Sequence, residues 1–159
     1  MIKSLPEEIA CISLLAPQAD GSLTSDAVSM KNANKAWIRG ILAQGANADQ
    51  CTLTLHRATD VAIGTNAVPA NNVPIWYNTD ASASDLLTEA TAAKSYQFNA
   101  TQSKNKQVWF EIDPVSYFTS GYDCVYVTSG GSNVANYLAV DIFIEPKSKA
   151  AILDTFITD

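Results

Sequence analysis

The chain carries a single histidine, His56, set between Leu55 and Arg57 in a stretch that alternates apolar and polar residues. A metal site of the kind that enzymes build on β-sandwich scaffolds needs several histidines with a carboxylate, and one histidine cannot supply them. As the base of a nucleophilic triad, His56 would need a serine on a G-x-S-x-G elbow, and no such sequence occurs. A solvated strand residue is its expected state. Carboxylates are the next candidates. Glu111 and Asp113 share one strand face, and Asp123 and Asp141 fall in the next two strands. Were those strands neighbours, a like-charge pair of Asp123 and Asp141 would raise a pKa or hold calcium. No oxygen-rich D-x-D-x-D-G loop accompanies them, so solvated or ion-paired aspartates are expected. No catalytic residue, cofactor ligand or metal ligand is assigned, and the chain is not expected to be an enzyme.

Aromatic residues make a better case. Trp37, Trp76, Tyr77 and Trp109 each fall in a strand-like stretch. A row of exposed rings on a sheet face stacks on sugars, and the same rings buried fill a core or a subunit interface. Trp109 alternates with Val108 and Phe110, so it is expected to point away from the core. Of the two uses, subunit contact is favoured over sugar. The candidate interface residues are Trp37, Ile41, Trp76, Trp109 and Phe143, with Ile152, Leu153, Phe156 and Ile157 from the tail.

These residues need strands to position them. Leu138, Val140, Ile142 and Ile144 make one apolar face with period two, opposite a mixed face of Tyr137, Ala139, Asp141, Phe143 and Glu145. Residues 122–127 form a shorter strand rich in aromatic and β-branched residues. Between the two lies Ser129-Gly130-Gly131-Ser132, and paired glycines favour a tight turn, so a long antiparallel hairpin is expected. Residues 36–44 read as a strand with Ile38 and Leu42 on one face and Trp37 and Ile41 on the other; Gly40 marks a bulge or a close backbone approach. Further strands are expected at 26–30, 51–57, 73–79 and 107–113, and around Tyr96 and Phe98. Pro74 puts its strand at an edge, or marks the strand's entry. Residues 85–94 have helical propensity, but their strand neighbours tip them toward β. Asp113-Pro114 opens one helical turn, with aspartate at the cap and proline at the first position.

About eight strands at short spacing, with turn signals between them, imply an all-β antiparallel sandwich or jelly roll. Its expected limits are residues 21–146. Residues 1–20 are an N-terminal arm or first strand, and residues 147–159 a C-terminal arm. The 159 residues suffice for one core. Charged residues make up only 16%, and a surface short of charge tends to cover itself with a partner. A net charge of −6, with only Arg39 and Arg57 as arginines, leaves no basic stripe for direct nucleic-acid binding. Three cysteines at wide spacing (Cys11, Cys51 and Cys124) are expected as thiols. The opening MIKSLPEEIA lacks a signal-peptide core and no transmembrane stretch follows, so assembly in a cytosol is expected, with no membrane partner.

The stretch SDAVSMKNANKAWIRGILAQGANADQCTLTLHRATD resembles a family of small virion proteins of tailed bacteriophages, where a VSLKN-like strand and turn precede a T-x-T-L-x-x-A-x-D strand. GYDCVYVTSGGSNVANYLAVDIFIEPKS is similar to that family's G-F-D-C-V-x-L hairpin, followed by a small-residue turn and a strand ending in E-P-R. Together the resemblance covers about residues 9 to 148. It implies a capsid decoration or cement protein: a β-sandwich on the capsid exterior, assembled in the host bacterial cytoplasm. The implied partners are the major capsid protein and two further copies in a homotrimer. No catalytic residue or cofactor comes with it. A tail or baseplate subunit and a carbohydrate-binding module are the competing assignments.

Overall fold

Alternation of residue type becomes alternation of burial along the strands. In β3 (Ala33–Ala43), Ala36, Ile38 and Leu42 are fully buried while Trp37, Arg39 and Ile41 are half-buried on the other side. The same two-residue rhythm runs through β9 (Asn105–Ile112) and β11 (Tyr137–Pro146), because successive side chains of a strand point to opposite faces. The computed structural model describes residues 8–46, 49–100, 103–119, 121–130 and 133–148.

Among those residues the remaining strands are β1 (Ala10–Ala19), β2 (Val28–Ser29), β4 (Cys51–Ala58), β5 (Asn66–Ala67), β6 (Val73–Asn78), β7 (Thr88–Ala93), β8 (Ser95–Phe98) and β10 (Cys124–Gly130). They form two antiparallel sheets. One has the order β1-β11-β3-β9-β6-β7, and the other β2-β10-β4-β5, with β8 also paired to β4. The fold is an all-β antiparallel sandwich. Its eleven strands among the described residues exceed the eight or so expected, and of these β2 and β5 are only two residues each.

The inner faces meet in one core. Ile38, Phe110 and Ile142 from the six-stranded sheet share it with Leu53, Leu55 and Val127 from the five-stranded sheet. Each such side chain contributes about 1.5–3 kcal/mol by leaving water. Gly40 lies at a close approach of the two sheets. A Cβ there would overlap Cδ1 of Leu53 from the opposite sheet, and pairing continues unbroken through Gly40 on both sides. It is therefore a close-approach glycine and not a bulge.

The helical turn α1 (Pro114–Tyr117) starts as expected, with the Asp113 carboxylate accepting from Val115 N. Residues 88–93 are strand, so neighbouring strands prevail over helical propensity there. Pro74 sits near the entry of β6, at a register shift beside β7, and β6 is an interior strand. Residues 10–19 pair with β11 along an edge that shifts register twice.

One expectation is corrected. β10 and β11 are not a hairpin: β10 pairs with β2 and β4, and β11 pairs with β1 and β3 in the other sheet. Both strands are apolar on an inward face, and a sandwich satisfies two such faces by opposing them across the core. The glycine-bearing connection therefore changes layers. Asp123 and Asp141 consequently never meet. Asp141 pairs with Arg39 at 2.7 Å, and Asp123 with Lys31 at 3.5 Å.

Candidate functional site

Cross-strand register decides which outward side chains become neighbours. Asp141 of β11 lies opposite Arg39 of β3, which lies opposite Trp109 of β9, then Trp76 of β6, then Glu89 of β7. The adjacent row runs Phe143, Trp37, Glu111 across β11, β3 and β9. Rings and charges thus interleave over the outer face of the six-stranded sheet.

The contacts follow from that register. Trp109 and Phe143 stack with centroids 5.6 Å apart, and the Arg39 guanidinium lies 5.6 Å and 5.4 Å from their centroids. Arg39 Nη2 donates to Asp141 Oδ2 at 2.7 Å. Lys35 reaches Glu111 at 2.5 Å and sits 5.4 Å from the Trp37 ring centre. The Trp109 indole N–H donates to Gln107 Oε1 at 3.2 Å, which fixes the ring's tilt. The two cations are each matched by an anion, so this layer carries no excess positive charge.

An open depression of about 260 Å³ lies in this layer, lined by Trp37, Trp76, Leu87, Trp109 and Glu111. The chain has three tryptophans, and all three line it. Leu87 enters from the segment before β7 and is exposed. Of the candidate interface residues, Trp37, Trp76, Trp109 and Phe143 share this face. Ile41 lies further along β3 between Ala139 and Gln107. Ile152, Leu153, Phe156 and Ile157 lie outside the described residues. Tyr77 turns away from the other aromatics and stacks on Tyr96 at 5.3 Å, packed against the core.

Arg39, Lys35 and Leu87 were not among the residues singled out from sequence. Arg39 and Lys35 were within reach, being two residues either side of Trp37 on one strand and therefore on its face. Leu87 was not, because a loop delivers it.

His56, expected to be solvated, is half-buried. Its ring stacks on Tyr126 at 4.9 Å, and Nε2 lies 2.9 Å from Thr128 Oγ1. Burial lowers its pKa. Two further buried polar groups hold one end of the sandwich together. The buried Lys106 ammonium donates to Gln44 Oε1 and to Asn99 O and Oδ1, and desolvation lowers its pKa. The buried Asp20 carboxylate accepts from Ser129 Oγ at 2.8 Å. Cys51 and Cys124 are buried and Cys11 is exposed, with no disulfide among them. Among the described residues, no three His, Cys, Asp or Glu side chains converge as a metal site would need. No helix among them is long and apolar enough to cross a membrane.

No family model matches the chain, and no curated protein matches it either. Similar solved structures include the SPBc2 prophage-derived protein YomS, at 8% identity and a TM-score of 0.47, with 86% of this chain and 93% of that one covered. The K1 cleaved adhesin domain of Lys-gingipain from Porphyromonas gingivalis matches at 14% identity and a TM-score of 0.37, covering 92% of this chain and 94% of that one. A structure of infectious bursal disease virus matches at 11% identity and a TM-score of 0.28, covering 92% of this chain and 43% of that one.

Proposed function

We propose that the chain is a structural protein of a tailed-phage virion, a decoration protein that binds the outside of the head and stabilises it. The supporting observation is that the stretches bearing the resemblance assemble into one unit. Val28 and Ser29 of VSMKN pair with Val125 and Cys124 of GYDCV, which pair in turn with Arg57 and Ala58 of TLTLHRATD. Met30 N donates to Asp123 O at 2.7 Å, and Asp123 N donates to Ala58 O at 3.2 Å. Residues distant in sequence therefore form one corner of the five-stranded sheet, as a resemblance of folded units requires.

In this reading the sandwich is the rigid body. Its partners are the major capsid protein and two further copies of the chain. The contacts assigned to them are Ile41 and Phe143, on the β3–β11 side of the outer face, and the tail residues Ile152, Leu153, Phe156 and Ile157. Modest contacts repeated over symmetry-related copies give avidity without a strong single site.

The test mixes purified protein with heads that lack it, sediments them, and heats both samples while following DNA release. Saturable co-sedimentation with a raised release temperature is expected, because a ligand that binds only the assembled state stabilises it by mass action. Protein that stays in the supernatant with heads at every concentration, yet binds purified tails, would move the assignment to the tail. A carbohydrate-binding role is the second reading, favoured by the depression among the three indoles.

A further inference from the structure

We infer that the depression bounded by Trp37, Trp76, Leu87, Trp109 and Glu111 is a binding subsite for a neutral sugar ring. The inference goes beyond the virion reading and does not depend on it.

The first ground is the floor of the site. Trp76 and Trp109 are directly opposite across β6 and β9, and such pairs hold their Cβ atoms about 4.5–5.5 Å apart. Both indoles stand on interior strands of a six-stranded sheet, so they are positioned before any ligand arrives. An indole face is electron-rich, and the axial C–H bonds of a pyranose present a weakly positive apolar face to it.

The second ground is the wall. Sugar hydroxyls need placed acceptors and donors beside the apolar floor. The Glu111 carboxylate lines the depression and is held by Lys35 at 2.5 Å. At about 260 Å³, the space is below the usual range for a drug-sized ligand and suits one ring of a longer glycan.

The third ground is charge, which also selects among occupants. Lys35 is matched by Glu111 and Arg39 by Asp141, so no excess positive charge draws a phosphate, sulfate or carboxylate. Glu89, exposed opposite Trp76 on β7, adds a negative charge at the rim that repels acidic sugars. A protein partner is disfavoured here because interface cores are depleted of Lys, Asp and Glu. Seating one over the depression would strip water from the Lys35–Glu111 pair, at a desolvation cost that its attraction rarely recovers. A sugar in an open depression leaves the outer edges of both pairs wet.

Because every tryptophan lines the site, the indole emission of the intact protein reports on it alone. The experiment titrates the protein, without heads, with cellotetraose, methyl β-galactoside, a sialylated oligosaccharide and a sulfated one. The expected result is a saturable change in emission with a neutral sugar, at a dissociation constant of about 1 mM or tighter. Leu87→Arg, at the exposed rim, should weaken binding about tenfold or more while leaving the melting temperature unchanged. Trp76→Phe, which keeps a ring, should weaken it by a smaller factor. Three results would overturn the inference: no saturation with either neutral sugar up to about a hundredfold above 1 mM, binding of the charged sugars alone, or binding unchanged in both variants. Head attachment plays no part in this titration, so its failure and that of the virion reading are separately visible.

Discussion

The two outer faces of the sandwich obey the same alternation and end in opposite states. On the five-stranded sheet the outward Tyr126 is only 4% exposed, packed with Ala27, Ala58 and Cys124 under Val61 and Ile63 from the loop after β4. His56 stacks on that same ring. The Tyr126 end of this face is sealed by the chain itself, while Thr54 and Thr128 further along stay partly exposed. On the six-stranded sheet Trp37, Trp76 and Trp109 are half-buried by one another and by ion pairs, and an open depression remains between them. A buried outer face serves stability. A rigid aromatic layer kept open, with its charges already matched, leaves its rings accessible to solvent.

The sharpest way to break this contrast is to remove one ring from each face. Tyr126→Ala should cost about 3–5 kcal/mol, the range for deleting a fully packed aromatic, while Trp76→Ala should cost clearly less because its ring is partly solvated. Chemical denaturation measures both, and equal losses would mean that the faces are packed alike. Gly40→Ala comes next. Its Cβ must displace Leu53, so about 1–3 kcal/mol is expected from overpacking, with both faces loosened together because they share the core. A double-mutant cycle on Arg39→Met and Asp141→Asn should give a coupling of about 0.2–1 kcal/mol, since the pair is partly solvated. A coupling near zero would show that the ion pair does not hold the open face in shape.

The smallest effect belongs to the sealed face and depends on pH. The folded-state pKa of His56 is lowered, with burial as the cause. The folded protein therefore binds a proton less readily than the unfolded chain. The contribution of His56 is full above the unfolded value of about 6.5 and is lost as pH falls through it. Melting temperatures of wild type and His56→Gln should accordingly converge on acidification. A gap that widens would contradict the assignment.

Much of this contrast can be read from the residues, and the part that cannot has a physical reason. Period two alone separates Ile38 and Leu42 from Trp37 and Ile41, and for β9 it sets Val108 and Phe110 inward with Trp109 outward. The Asp113-Pro114 pair announces α1 by its capping chemistry. Layer assignment is different. A turn-forming run such as Ser129-Gly130-Gly131-Ser132 is equally able to join partners in one sheet or strands in opposite sheets, and β10 and β11 take the second course. The depression is hidden for a related reason: it needs β9 between β3 and β6, a neighbour order that sequence distance does not reveal. The cover over Tyr126 depends on Val61 and Ile63, in a stretch of small and polar residues that reads as an ordinary loop.

The most direct test of the account sets one face against the other on the particle. Ile41→Arg places a charge on the outer face of the six-stranded sheet, and Thr54→Arg places one on the outer face of the five-stranded sheet, beside Thr128. Each variant is first checked for an unchanged melting temperature and then sedimented with heads that lack the protein. Ile41→Arg is expected to lower the bound fraction severalfold while Thr54→Arg binds as wild type does. Full binding by Ile41→Arg, with loss in Thr54→Arg, would contradict it.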